Sequence, residues 1–252
     1  PSDRPRKNAP FTQVSVTDFV SNVVADMSLI SLVSSIFEVV SAPHMQLEIP
    51  TAVTQSNGLV EEVSSITSYI INEEACHRVT NQSFIDAAID NALDRLTCDD
   101  DYHLPNIGRI EEYYNSLDEA RSNMEKKMRR GILYSAIKDY HSYKMVQIDK
   151  FDWISEKQIE TAICSQTRLI GTNCKFEVDL QWRCKNSLDD IEREIQRFEQ
   201  DTGYRIYLTG RVDVATKHCV YENKATADLS VDHKLQLIVY AYLWHTRLLP
   251  PR

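Results

Sequence analysis

The sequence predicts an α/β protein: a mixed, twisted sheet flanked by helices, with a helical region before it. Three observations carry that expectation. Apolar and polar residues alternate through Lys175–Trp182 (KFEVDLQW) and Arg205–Ala215 (RIYLTGRVDVA), the period of a half-buried strand. Apolar residues return every three or four positions in Phe84–Leu96 and Val231–Arg247, the period of an amphipathic helix. The pattern changes from helical to alternating near Lys150. The 252 residues suffice for one large domain or two small ones, and 42% hydrophobic with 26% charged residues is ordinary for a globular chain. With 6 glycines and 8 prolines, collagen-like and disordered classes are excluded.

Taken in order, residues 1–13 read as a flexible leader and 14–150 as the helical region. Val14–Val40 favours helix, with Thr17 or Asp18 as its cap. Ser41–Gly58, which holds Pro43, Pro50 and Asn57-Gly58, reads as loop. Leu59–Ile71 and Phe84–Leu96 read as helices, the second capped within Asn81–Ser83. Asp99, Asp100 and Asp101 open an irregular stretch and read as a solvated loop, since adjacent aspartates do not converge on one ion. Ile110–Tyr143 reads as one or two long helices. Residues 151–252 form the sheet region. Gln158–Cys164 (QIETAIC) alternates and predicts its first strand, Lys175–Trp182 the next. Leu188–Gln200 reads as a helix capped by Ser187. Arg205–Ala215 and Cys219–Lys224 read as paired strands, and Val231–Arg247 as the closing helix.

A formal net charge of −9 excludes nucleic-acid binding by bulk charge. It leaves room for a local basic channel, and the basic stretch is Arg121, Lys126, Lys127, Arg129, Arg130, Lys138 and Lys144. Two readings stand: a solvated helix face, or a face on which Lys126, Lys127, Arg129 and Arg130 contact phosphates. No run of about 18 apolar residues predicts a membrane span, so no membrane partner is expected. The polar opening, with Arg4, Arg6 and Lys7, lacks an apolar signal core. The six cysteines make no C-x-x-C pair and read as reduced thiols of an intracellular protein.

The chemistry concentrates between Leu208 and Trp244. If Arg205–Ala215 and Cys219–Lys224 pair as a tight hairpin with Lys217-His218 at its tip, Asp213 stands opposite Glu222, and opposed residues share a face. Lys224, two residues on, shares it too. Lys-His is not a favoured tip, which leaves the register open by a residue or two. Facing carboxylates repel, and a hard divalent cation reverses the sign of their interaction. The plain alternative is a lysine bridging two acids on a solvated sheet. On the following helix, Gln236 and Tyr240 recur four apart and share a face.

The order Gly210-x-x-Asp213, Glu222-x-Lys224 and Gln236-x-x-x-Tyr240 resembles the RecB-like branch of the PD-(D/E)XK nucleases. QLIVYAYLW is particularly similar, and Thr226 matches a threonine that often follows the lysine. The resemblance implies a restriction-endonuclease-like core holding one or two Mg²⁺ or Mn²⁺ ions. Asp213, Glu222 and the Asn223 backbone carbonyl would be the ligands, Lys224 the catalytic lysine, and Gln236 and Tyr240 the auxiliary pair. Glu160 resembles the acid often found on the first core strand. It also implies a metal-dependent DNA nuclease, an exonuclease on single strands or duplex ends, working with a helicase or a larger replication or repair assembly. Val14–Asp18 (VSVTD) resembles the opening of exonuclease V-like and CRISPR-associated members.

The sequence departs from the family at several points. Tyr134, in Arg130-Gly131-Ile132-Leu133-Tyr134, stands where the family has histidine. His141, seven residues on and near two helical turns away, is the substitute metal-ligand candidate. No cysteine precedes Cys76 and no cysteine group closes the chain, so no iron–sulfur cluster is expected. The strand the family places after the glutamine helix is missing from the sequence, so the core is either truncated or part of a longer protein. Two rival expectations remain: an RNA endonuclease of similar site chemistry, and an inactive nuclease-like binding or assembly module.

Overall fold

The computed structural model describes residues 11–16, 49–98, 107–183, 197, 200–201, 205–224 and 230–248. In chain order the elements are β1 (Phe11–Ser15), β2 (Ala52–Thr54), β3 (Val60–Glu62), α1 (Ser64–Thr80), α2 (Phe84–Cys98) and α3 (Ile107–Asn115). A 3-10 turn (Ser116–Glu119) follows, then α4 (Asn123–Lys138), α5 (Lys144–Gln147), α6 (Glu156–Ile170), β4 (Cys174–Arg183), β5 (Arg205–Thr216), β6 (Val220–Tyr221) and α7 (Val231–Leu248). The class is α/β, with a mixed sheet. The chain divides into two units that interleave rather than meeting at residue 150. A sheet unit holds 1–42, 177–222 and 229–252, and a helical unit holds 43–176 and 223–228.

In the sheet unit, β5 lies between β1 and β4. β1 runs parallel to it, from Phe11 beside Arg205 to Ser15 beside Thr209. β6 pairs antiparallel further along, Val214 with Tyr221 and Ala215 with Val220. The sequence leading into α7 starts a helix because Ser230 caps it: Ser230 Oγ accepts from His233 N at 3.3 Å, and His233 Nδ1 accepts from Ser230 N at 3.2 Å. Leu235, Tyr240 and Leu243 of α7 join Val16, Val178, Leu180, Val212 and Ala215 in one core. Trp244 Nε1 donates to the Thr216 carbonyl at 3.0 Å.

The helical unit has its own core, built largely from α1, α2, α4 and α6. Gly131 of α4 lets α1 come close: a Cβ there would lie 3.0 Å from Ile70 and 3.1 Å from Ile66. Tyr134 is fully buried, edge-on to Tyr69 at 4.8 Å and to Phe84 at 5.2 Å between ring centroids. The start of α2 is satisfied from another helix. Glu73 on α1 accepts from Phe84 N at 3.1 Å and Ile85 N at 3.2 Å, the donors a helix leaves unpaired at its first turn.

Several expectations need correction. Phe11–Ser15 is a strand, where the sequence predicts leader up to residue 13 and helix from Val14 onward, because pairing with β5 outweighs its weak local pattern. The Ser41–Gly58 loop gives way to the β2–β3 hairpin, turned at Asn57-Gly58 with Gly58 at φ 84, and α1 starts only at Ser64. Gln158–Cys164 is helix, not strand. A capping box between Ser155 and Gln158 starts α6, and Ile159, Ala162, Ile163, Gln166 and Ile170 are buried at helical spacing. The long basic helix ends at Lys138, short of Tyr143. The Val14–Val40 helix beyond Val16 lies outside the described residues, as do Asp99–Asp101 and Leu188–Gln200 apart from Arg197 and Gln200, which are helical. Among the described residues no helix is long and apolar enough to cross a membrane. Cys76, Cys164, Cys174 and Cys219 are free thiols.

The close α1–α4 approach gives a direct test. Gly131→Val overpacks the contact with Ile66 and Ile70, and urea unfolding should show a loss of about 1–3 kcal/mol. An unchanged midpoint would mean that the two helices separate at no cost.

Candidate functional site

β5 and β6 form the two-residue hairpin whose tip is Lys217-His218. The tip lacks the residues that usually favour so tight a turn. Thr216 supplies the closure instead: its N–H donates to Cys219 O at 2.8 Å, and its Oγ1 accepts from Cys219 N at 3.0 Å. The pairing of Val214 with Tyr221 fixes the register. The ladder ends there: of the expected Cys219–Lys224 strand only Val220–Tyr221 pairs, and Glu222, Asn223 and Lys224 follow just beyond it. Glu222 Oε2 is closed off from solvent.

α7 brings a third group to the acids. Tyr240 is 4% exposed and packs into the sheet core, and Gln236 Nε2 donates to its hydroxyl at 3.1 Å. Gly210 makes room for the ring: a Cβ there would lie 2.5 Å from Tyr240 Cε1 and 2.8 Å from Val16 Cγ2. Burial pushes the Tyr240 phenol far above its ordinary value, and the negative charges of Glu222 and Asp213 push it further. The Gln236 bond and a backbone bond from Arg211 act in the opposite direction without overcoming them. Asp213 and Glu222 thus lie within electrostatic reach of the Tyr240 hydroxyl that Gln236 holds.

Sequence patterning missed two residues of this neighbourhood. Glu177 on β4 is 4% exposed in its side chain and pairs with Arg211 on β5 at 3.0 Å. Alternation places Glu177 on the outward phase of its strand, opposite to Val178 and Leu180. The backbone departs from that alternation at Glu177, which takes a left-handed conformation with φ 48. The alternation of β4 therefore carries no signal of this burial.

The remaining candidates lie in the helical unit. The chain passes into that unit between Glu222 and Asn223, so Asn223 and Lys224 are counted with it. Lys224 follows Glu222 by two residues and is half-buried. Glu160 sits on α6 rather than on a strand. Its carboxylate is held well below the usual range by the Arg78 guanidinium, 2.5 Å away, and by the Cys164 thiol. The helical spacing that brought in His141 does not exist, because Tyr140 takes a left-handed backbone at φ 61 just past the end of α4. His141 Nδ1 lies 3.4 Å from Ser135 Oγ instead.

The basic stretch of α4 is internally matched. Lys126 pairs with Asp118 at 2.7 Å, Lys127 with Glu74 at 2.9 Å and Arg129 with Glu125 at 2.8 Å. Arg130 reaches both Glu73 at 3.2 Å and Asp86 at 2.6 Å. A phosphate on this face competes with a carboxylate at every one of the four cations.

A hard cation fits the donor chemistry of the acid pair: two carboxylates in a partly desolvated place whose field is already negative at Tyr240. Among the described residues no group of three or more His, Cys, Asp or Glu side chains gathers around one point. Two side-chain carboxylates would leave the other positions to backbone carbonyl, water or substrate.

Comparison with protein-family models, with curated proteins and with solved structures finds no match to this chain. The geometry of the site makes its own predictions. Tyr240 stays protonated while ordinary tyrosines ionise, so wild type and Tyr240→Phe should gain the same phenolate absorbance between about pH 8 and 11. A smaller gain in the variant would place Tyr240 in an ordinary environment. Gly210→Ala drives a methyl into the Tyr240 ring and should cost about 1–3 kcal/mol in denaturant unfolding.

Proposed function

We propose that the chain is a metal-dependent nuclease of the RecB-like PD-(D/E)XK type, hydrolysing phosphodiester bonds of single-stranded DNA or of DNA ends. The observation that supports this best is the β5–β6 hairpin, which brings Asp213 on β5 and Glu222, just past β6, within the electrostatic reach of the Tyr240 hydroxyl. Asp213, Glu222 and the Asn223 carbonyl would hold Mg²⁺ or Mn²⁺. When bound, such a cation supplies Lewis acidity toward the oxygens of a phosphodiester.

The chain's own groups divide the remaining work. Asp213 and Glu222, ionised, only accept, and so favour cations over the phosphate's negative charge. Lys224 is a cationic N–H donor, suited in type to a phosphate oxygen or the attacking water. Water's oxygen joins phosphorus, the bond to the 3′-oxygen breaks, and the released proton balances that leaving oxygen, giving a 5′-phosphate end. Gln236 fixes the direction of the Tyr240 hydroxyl. That hydroxyl keeps its proton because its surroundings disfavour a further negative charge, so it remains a donor. The cations of α4 stay outside this proposal, since each is already held by a carboxylate of its own unit.

The test is cleavage of end-labelled single-stranded and circular DNA, with RNA alongside, in Mg²⁺, Mn²⁺ or EDTA. Wild type should cut linear DNA only with metal. Lys224→Ala should lose roughly 10²–10³-fold in rate, Asp213→Asn should fall to background, and both should keep the wild-type melting transition. Cleavage in EDTA, or undiminished cleavage by both variants, overturns the assignment. Preference for RNA favours the endonuclease alternative, and metal binding without turnover favours a binding module.

A further inference from the structure

A fully buried carboxamide in the helical unit bears on the segment between Glu222 and Lys224. Asn72, on α1, is 0% exposed. Its Oδ1 accepts from Gln166 Nε2 of α6 at 3.0 Å and from Asn223 Nδ2 at 2.6 Å. Three amides from three distant parts of the chain thus meet inside one unit. Asn223 follows Glu222 directly and is counted with the helical unit, whereas Glu222 is counted with the sheet unit.

Core packing alone does not account for the cluster. Buried polar groups are costly, and a network that served stability would satisfy every member. Here Gln166 Oε1 is buried with no hydrogen-bond partner among the described residues. The cluster leaves a loss in the core uncorrected and spends its shortest bond on Asn223. That side chain hangs from the residue joined directly to Glu222 on one side and Lys224 on the other. Holding it restricts rotation of the peptide units that carry the Asn223 carbonyl and set where both charged side chains start.

We propose that Asn72 is a positioning residue for the candidate site: its buried carboxamide oxygen holds the Asn223 side chain and so fixes the main chain between Glu222 and Lys224. The proposal rests on the nuclease reading given above. Asn72 touches neither substrate nor metal, and acts only through Asn223. Groups that orient metal ligands in this indirect way commonly matter 10–100-fold to activity or metal affinity (roughly).

The test uses the full chain, end-labelled single-stranded DNA and Mn²⁺, with thermal melting followed in parallel. Asn223→Ala keeps the backbone carbonyl and removes the side chain that Asn72 holds, from its half-buried end. It should lower kcat roughly 10–100-fold with KM and melting nearly unchanged. Asn72→Leu should lower kcat similarly. Asn72→Asp, which retains an acceptor oxygen toward both amides, should recover most of it. Gln166→Leu, which spares the bond to Asn223, should keep wild-type kcat even where it shifts melting. Full kcat in Asn223→Ala overturns the inference, as do equal kcat losses in Asn72→Leu and Gln166→Leu that follow their losses in melting. Wild type that cuts while Asn223→Ala cuts as fast removes this inference alone, whereas wild type that cuts nothing removes the nuclease reading beneath it as well.

Discussion

Side chains along a strand point alternately to opposite faces, so the candidate site depends on the register of one short hairpin. A slip of one residue would turn the side chains of β6 to the other face and displace Glu222, the next residue, with them. The ladder between β5 and β6 is only two pairs long, Val214 with Tyr221 and Ala215 with Val220. So short a ladder specifies register weakly by itself. The turn does the rest: Thr216 binds Cys219 through both its backbone and its hydroxyl, and Trp244 of α7 donates to the Thr216 carbonyl. The helix that carries Gln236 and Tyr240 is therefore tied to the turn that sets the acids.

Tyr240 links this hairpin to the core. Its ring is a core member beside Val212 and Leu235, while its hydroxyl faces the charge of Asp213 and Glu222. An aromatic residue with an apolar body and one polar tip suits that boundary, and Gly210 is the residue whose lack of a side chain permits it. Close by, Glu177 and Arg211 bury a charged pair at a backbone position that an L-residue rarely adopts. Local rules of sequence and backbone fail together around these residues, and such failures tend to collect at functional sites.

The sequence made the hairpin, β4, β5 and α7 legible because each carries its own period, and the Lys217-His218 tip followed from the space between the two strands. Legibility ended where structure depends on distant partners. β1 has no strand pattern strong enough to announce itself, and its strand exists because of β5. In α6, Ile159 and Ile163 lie four apart, a spacing that fits alternation and helix equally in a seven-residue window. Only the Ser155–Gln158 capping box separates the two, and it lies at the edge of that window. The cations of α4 were visible as a cluster, but their partners Glu73, Glu74, Asp86 and Asp118 come from elsewhere in the chain. Asn72 gave no sign at all, since a lone asparagine within a helix has no pattern to read.

The parallel pairing of β1 with β5 has a consequence for the order of folding during synthesis. Residues 43–176, which make most of the helical unit, emerge as one continuous stretch whose helices find their partners nearby. β1 has left the ribosome before any of them, yet its partner, Arg205–Thr209, is made only after they are complete. Contacts between such remote segments carry the largest loop-closure entropy and form late. Until then Phe11–Ser15 exposes unpaired backbone donors and acceptors on both sides, the state in which a strand is most open to pairing with a foreign chain. The growing polypeptide thus carries an orphan strand from the synthesis of β1 until that of β5, while the 43–176 part of the helical unit can already have settled.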